Sequence, residues 1–287
     1  MKKSTFLHLR IPFSFFLMPI FLFAAAISQK NEGFWIDFSL LFFIFHALVY
    51  PASNGFNSYY DRDEGPIGGL KSPPKVEKEL LFYSLVLDAV GFGMAFWFLG
   101  GVVALGVLVY GLVSKAYSHP FVRLKSKPFL GLLSVVLFQG GFVVLVVVFA
   151  LSPEIIFTPK TWIAAGLASL MLFGSYPMTQ IYQHEEDSKR GDKTISLLLG
   201  IKGTFVFTML FFGLTSAGFG IFFLTYYSMG TALAFFVGLF PVLFYFMWWF
   251  YVVLGDASKA NFENTMRLNL ISALMLNLFF GYLCWVS

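Results

Sequence analysis

Apolar residues in this chain fall in long, nearly unbroken runs, at 11–28, 37–56, 80–99, 101–117, 129–151, 161–182, 203–226, 231–254 and 266–286. Crossing the hydrocarbon layer of a bilayer takes about 20 such residues in a helix. The pattern therefore predicts an all-α polytopic membrane protein with nine transmembrane helices. No linker, low-complexity tract or separate soluble unit interrupts it, so residues 1–287 read as a single transmembrane domain. The first run, behind Lys2, Lys3 and Arg10, has the outline of a signal peptide. No small-residue cleavage pattern is clear after Ser28 and many spans follow, so it reads as the first transmembrane helix. The tightest division is at Gly100-Gly101, where paired glycines permit the backbone angles of a sharp reversal.

The polar residues between the runs are sorted by sign. With the N-terminus placed in the cytoplasm and the spans alternating, the inside segments are 1–10, 57–79, 115–128, 183–202 and 255–267. They hold every Lys and Arg of the nineteen except Lys30 and Lys160. Cytoplasmic loops carry such an excess, and a missed or extra span would invert everything downstream. Composition agrees, at 58% hydrophobic and 12% charged, against about 25% charged in soluble domains. The basic balance, +4 at neutral pH, then reports charges at a membrane surface, and no nucleic-acid partner is expected. The lone Cys284 excludes an internal disulfide and a cysteine-built metal site.

Two acidic clusters lie on the same expected side. If the second span continues as helix through Asn54-Gly-Phe-Asn57-Ser-Tyr-Tyr-Asp61-Arg62-Asp63-Glu64-Gly65, then Asn57, Asp61 and Glu64 share one face at i, i+4 and i+7. After the sixth span, Gln183, Glu186 and Asp187 share a face at i, i+3 and i+4. Carboxylate and amide oxygens suit Mg²⁺, which takes one or two protein carboxylates and completes its shell with water and substrate phosphate. Acidic residues beside lysines also occur as solvated loop caps. A basic set surrounds the clusters: Lys71, then Arg123, Lys125 and Lys127, then Lys189, Arg190 and Lys193. Such side chains suit diphosphate oxygens, although the positive-inside rule alone would also put lysines there.

These features resemble the UbiA superfamily of intramembrane prenyltransferases, over nearly the whole chain. Of that family's Asn-x-x-x-Asp-x-x-x-Asp motif, Asn57 and Asp61 match; the third position is Gly65, for which Glu64 substitutes, with Asp63 as the competitor. Of its Asp-x-x-x-Asp motif and the Gly and Lys-Thr step after it, Asp187, Gly191, Lys193 and Thr194 match; Gln183 stands at the first Asp, with Glu186 in compensation. The stretch from Tyr117 through Pro120, Arg123 and Lys125 is similar to the family's basic loop before its fifth helix. The resemblance implies helices around a central cavity, a Mg²⁺ cofactor, an allylic prenyl diphosphate and a lipophilic acceptor that attacks the prenyl cation. It assigns Asn57, Asp61 and Asp187 to catalysis. Asp61, Glu64, Asp63, Asp187, Glu186 and Gln183 go to the metal, and Lys71, Arg123, Lys125, Lys189 and Lys193 to the diphosphate. Tyr117, Tyr182 and Asn54 line the pocket. Family frequency suggests an aromatic acceptor, a quinone precursor or pigment, with the active loops cytoplasmic in a bacterial inner membrane; a non-aromatic lipid acceptor is the alternative.

Two other classes fit less well. The long acidic pattern of membrane phosphotransferases using CDP-linked lipids is absent. A transporter would carry charges near the bilayer midplane and broken helices, whereas the acids here gather at one face. Of the isolated polar residues, Asp88, Gln139 and His46 within spans read as packed and hydrogen-bonded. His184 reads as a neighbour of the acidic face rather than a Mg²⁺ ligand, Gln180 as pocket floor, and Asn261, Asn264 and Arg267 as caps of the last helix or contacts to the acceptor.

Overall fold

A computed structural model describes residues 1–286. The helices are α1 (Lys3–Leu9), α2 (Met18–Ile27), α3 (Phe34–Asp61), α4 (Glu79–Leu99), α5 (Gly101–Ser118), α6 (Pro128–Leu151), α7 (Pro159–Ser175), α8 (His184–Arg190), α9 (Ile195–Tyr226), α10 (Met229–Gly255) and α11 (Phe262–Val286). Among the described residues, seven are long and apolar enough to cross a membrane. The segments Lys3–Phe16 and Met18–Ile27, bent by 45°, add an eighth if counted as one span.

The expected count of nine is therefore not reached by length, and the shortfall has a local cause. Helix α7 has 17 residues and gives way to a 3₁₀ turn at Tyr176–Gln180. Pro177, lacking an N–H and clashing with the preceding turn, cannot continue an α-helix. The tighter turn carries Gln180 and Tyr182 off the helix axis. Gly100 makes the expected reversal at φ 92°. Helix α9 begins earlier than expected, with Thr194 accepting from the Leu197 N–H as its N-cap, and breaks at Gly200 (φ 68°).

Helix α2 packs on α11, α11 on α10, α10 on α9, α9 on α7, α7 on α6 and α6 again on α2, while α3 packs on α4 and α5. Small residues let these backbones approach, as expected where lipid removes the hydrophobic drive between helices. A wide turn at Val136–Phe142 frees the Gly141 N–H, which donates to Ser169 Oγ at 2.9 Å on α7. A Cβ on Gly140 would sit 2.8 Å from the Ser169 Cα. Aromatic rings fill much of the interior, with Phe23, Phe219, Phe222, Phe223, Phe235 and Phe280 in edge and tilted contact. Asp88 and Lys115 form an ion pair between α4 and α5, so the intramembrane acid has the structural role expected of it. His46 stacks on Phe42 and donates through Nδ1 to the Phe42 carbonyl at 3.1 Å.

Gly140→Val forces α6 off α7, and overpacking of this kind costs about 1–3 kcal/mol. The melting temperature in detergent is expected to fall clearly, while Gly166→Val, where an added Cβ meets nothing within 4 Å, leaves it nearly unchanged.

Candidate active site

The last turns of α3 supply the first wall. Asn54, Asn57 and Asp61 lie on one helix face and line a cavity of about 370 Å³. Asn57 donates through Nδ2 to Asp61 Oδ2 and to Ser118 Oγ, both at 2.8 Å. Asp61 is ion-paired with Lys125, and its Oδ1 is buried with no hydrogen-bond donor. Helix α3 stops at once: Arg62 is left-handed (φ 51°, ψ 42°) and its N–H caps onto the Ser58 carbonyl. That reversal turns the two competing acids to opposite sides. Asp63 turns into the cavity and pairs with Arg190, whereas Glu64 is exposed. The expected sharing of one helix face by Asn57, Asp61 and Glu64 fails at Glu64 because the helix has already ended.

Glu186 is also displaced from its expected role. Its Oε1 accepts the Glu64 N–H at 2.9 Å, outside the cavity lining. A Cβ at Gly65 would meet Glu186 Oε2 at 2.6 Å, so the missing side chain at 65 makes room for this carboxylate. Gln183 does line the cavity and donates through Nε2 to the Pro66 carbonyl at 3.2 Å, tying the two acidic loops together.

Helix α8 supplies the second wall. Asp187 is buried and accepts from Arg190 Nη2 at 2.8 Å. Gly191 is left-handed (φ 77°) and turns the chain back, so that the Asp192 N–H reaches the Asp187 carbonyl at 2.9 Å. Asp192 thereby enters the same lining and accepts Nε and Nη2 of Arg123 at 2.8 and 2.9 Å. Sequence reasoning passed over Asp192, and it treated Arg190 only as one of a basic set. The available signal was the glycine, since a left-handed residue after a short helix folds the next side chain back over it.

Of the expected basic residues, Lys125 lines the cavity, while Arg123 stands behind it, gripping Asp192 and lying 3.7 Å from Asp61. Lys71 is 70% exposed and pairs with Glu263; Lys189 is 71% exposed and pairs with Glu185. Lys193 is exposed as well, offering only its backbone N–H to the Ser126 carbonyl. These three do not reach the cavity, because each sits on the solvent side of a loop whose other side faces inward. Tyr117, Tyr182 and Asn54 all line it. The Tyr117 and Tyr176 hydroxyls share a 2.5 Å hydrogen bond, and Gln180 Nε2 donates to Tyr176 Oη at 2.8 Å. His184 meets Ser196 Oγ at 2.7 Å, beside the acidic face as expected. Asn261 caps α11 by accepting the Asn264 N–H, and neither it, Asn264 nor Arg267 lines the cavity. Away from the charges the lining is mostly apolar, with Phe212, Phe219, Phe235, Leu239, Val242 and Phe246, interspersed with Thr208, Thr215, Ser216, Asn269 and Ser272.

Among the described residues, no three His, Cys, Asp or Glu side chains enclose a metal ion by themselves. The donor set instead suits an ion completed by substrate oxygens: the undonated Oδ1 of Asp61, with Asp187, Asp63 and Asp192 on the same lining. Crowding shows in the titration. Burial, the largest influence, lifts Asp187 to about 7; Lys125 opposes it and Asp192 and Asp61 add to it. Burial also acts to raise Asp192, but the Arg123 hydrogen bonds and Lys125 outweigh it and hold the group below the ordinary carboxylate value.

The UbiA prenyltransferase family model matches residues 16–271. No curated protein matches the sequence. Among solved structures, the chain is similar to a UbiA homolog from Archaeoglobus fulgidus bound to DMAPP and Mg²⁺, with TM-score 0.67 and 17% identity over 99% of this chain and 100% of that one. The same homolog bound to GPP and Mg²⁺ gives TM-score 0.64 and 17% identity over 99% and 100%. A structure of digeranylgeranylglyceryl phosphate synthase gives TM-score 0.62 and 16% identity over 99% of each chain.

A carboxyl raised in the folded state stabilises the fold while protonated, and that contribution is lost as pH rises through the folded value. With divalent cations chelated, lowering the pH from 8 to 6 is therefore expected to stabilise the protein by on the order of 1 kcal/mol through Asp187, read as a rise in melting temperature. Asp187→Asn is expected to flatten that slope.

Proposed function

The chain belongs to the UbiA prenyltransferase family, and we propose on that premise that it transfers a prenyl group from an allylic prenyl diphosphate to a lipophilic acceptor with Mg²⁺. The observation that carries the reading is the meeting of Asp61 and Asp187 on one cavity lining, linked by ion pairs that run from Asp61 through Arg123, Asp192 and Arg190 to Asp187. The cavity is polar at that end and apolar beyond, which is the division a diphosphate with a hydrocarbon tail requires.

Asp61 and Asp187 hold the metal in this reading, with Asp63 and Asp192 as the added carboxylates that offset Gly65 and Gln183. A Mg²⁺ ion bound there would supply charge neutralisation that makes diphosphate a better leaving group. Lys125 and Arg190 point into the cavity and are bound to carboxylates. An incoming diphosphate offers them oxyanions of the same kind, so they bind the head without a change of position. Asn57 fixes the rotamer of Asp61 through its 2.8 Å hydrogen bond. Departure of diphosphate leaves positive charge on the allylic carbon. The rings of Tyr117, Tyr176 and Phe138 on the lining present faces that attract cations, and the apolar wall keeps water from the reacting carbon.

The acceptor expected from family frequency, an aromatic ring, finds no particular support. The structural neighbour whose description names an acceptor lineage is a glyceryl phosphate synthase, which weighs toward a non-aromatic lipid acceptor. The sorting of lysines and arginines supports a cavity mouth at the cytoplasmic face. A transporter is the competing class; it would release no diphosphate.

Asp61→Ala and Asp187→Ala are each expected to lower Mg²⁺-dependent diphosphate release from geranyl diphosphate by at least about a hundredfold while the detergent-solubilised protein stays folded. Full activity in either variant refutes the assignment. Asp63→Asn is expected to impair turnover more than Glu64→Gln, since only Asp63 faces the cavity; the reverse order would restore Glu64 to the metal.

A further inference from the structure

The connections at the aspartate end of the bundle differ in what they turn outward. Those at 62–78, 183–194 and 256–261 expose charged side chains, among them Lys71, Glu185, Lys189, Asp256 and Lys259. Among the described residues, none of the three exposes a large apolar side chain. The connection at 119–127, between α5 and α6, does the opposite. Phe121 is 94% exposed, more than any other large apolar side chain among the described residues, and Val122 beside it is exposed as well.

Phe121 is held outward. The Val122 and Arg123 N–H groups both donate to the His119 carbonyl, at 3.0 and 2.8 Å, and close a tight turn with Phe121 at its tip. The inner side of the turn is taken by His119, whose ring meets those of Phe56 and Tyr60 on α3. Beyond the turn Arg123 is left-handed and bound to Asp192, and the Ser126 carbonyl accepts the Lys193 N–H at 3.1 Å. Lys125, on the same short segment, pairs with Asp61. The segment is thus fastened to the acidic site on one side and offers a phenyl ring on the other. Exposed apolar groups on an otherwise polar surface mark an interaction site. The surface that Phe121 extends is a lipid-facing one. Phe129 (63% exposed), Leu130 and Leu133 point outward on the first turns of α6, a helix long and apolar enough to cross a membrane. Lys127, between them in sequence, is exposed and can carry its ammonium out to lipid phosphates while its stem lies on apolar surface.

We propose that Phe121 inserts into the lipid interface beside α6, and that this anchor seats the segment carrying Arg123 and Lys125 against the aspartates. The occupant is the bilayer because the apolar surface that the ring continues is one lipid already covers, and because the neighbouring exposed charge is a cation suited to lipid phosphate. Phe121 is a positioning residue: it does not line the cavity, and it acts through the two cations that follow it at positions 123 and 125. Its effect on the binding of a prenyl diphosphate rests on the prenyltransferase reading; its insertion into lipid does not.

The test places a nitroxide at 121 through F121C in a C284A background, with the full chain in nanodiscs of phosphatidylcholine and phosphatidylglycerol at one copy per disc. K189C and F240C are the solvent and lipid references, Lys189 being 71% and Phe240 66% exposed. Collision with oxygen, which partitions into lipid, is compared with collision with a water-soluble nickel chelate. Nickel access at 121 is expected to fall at least about threefold below that at 189, with oxygen access rising toward that at 240. Nickel access equal to that at 189 overturns the proposal. So does protection from both reagents, which would mean that protein covers the ring. The seating is read in the same discs by calorimetry of geranyl thiolodiphosphate with Mg²⁺. F121S is expected to weaken binding by about fivefold, whereas F121W, whose ring suits the interface, binds as the wild type does. Unchanged binding by F121S, or an equal loss in F121W, overturns the seating role. A wild type that binds no geranyl thiolodiphosphate sinks the prenyltransferase reading, and the nitroxide then decides the membrane anchor by itself.

Discussion

Four aspartates, Asp61, Asp63, Asp187 and Asp192, share one cavity lining at the edge of a hydrophobic bundle. Like charges withdrawn from water repel strongly, and a buried carboxylate without a partner costs several kcal/mol. Three cations resolve this conflict. Lys125 takes Asp61, Arg123 takes Asp192, and Arg190 spans Asp63, Asp187 and Asp192. The loops on which these residues sit are otherwise short and irregular, so the charge network is what holds them against each other. Asp187 carries the residual tension, lifted to about 7 by burial and by its neighbours. The same imbalance leaves the site disposed toward a divalent cation and a polyanion.

Backbone reversals aim the charges. Among the described residues, the non-glycine positions with positive φ are Arg10, Arg62 and Arg123, all at the ends of elements that meet the cavity. Arg62 stops α3 so that Asp63 faces in and Glu64 faces out. Gly191 folds Asp192 back over α8. Arg123 opens a short turn that presents Lys125 to Asp61. Strained residues persist where surrounding contacts over-determine them: Arg10 and Arg123 are tied to other segments by hydrogen bonds or ion pairs, and Arg62 to its own helix through its N–H on the Ser58 carbonyl.

The bundle beneath supplies rigidity and an apolar interior. Close approach at Gly140 and Gly141 locks α6 to α7, and the break before Tyr176 brings Tyr176, Gln180 and Tyr182 to the cavity wall. Polar groups inside the spans are paired locally, as with Asp88 and Lys115 or His46 and the Phe42 carbonyl. On the polar wall of the cavity, Asp61 Oδ1 and Arg10 Nε are buried without a hydrogen-bond partner.

The chain by itself determined the class of solvent, the approximate helices, the expected orientation and the two motif faces. Each of these depends on runs of residues or on spacing within one helix, which are local properties. For the same reason it named Asn57, Asp61, Asp187, Lys125, Tyr117, Tyr182 and Asn54, which share the cavity lining. It also expected Glu64, Glu186, Lys71, Lys189 and Lys193 at the site, which lie off the cavity lining, and passed over Asp192, which is on it. Those outcomes turn on where a helix stops and which way a loop residue points. Only the packed structure settles that, because a single left-handed residue moves the next side chain from solvent to cavity, and the contacts that pay for such a residue come from other segments of the chain.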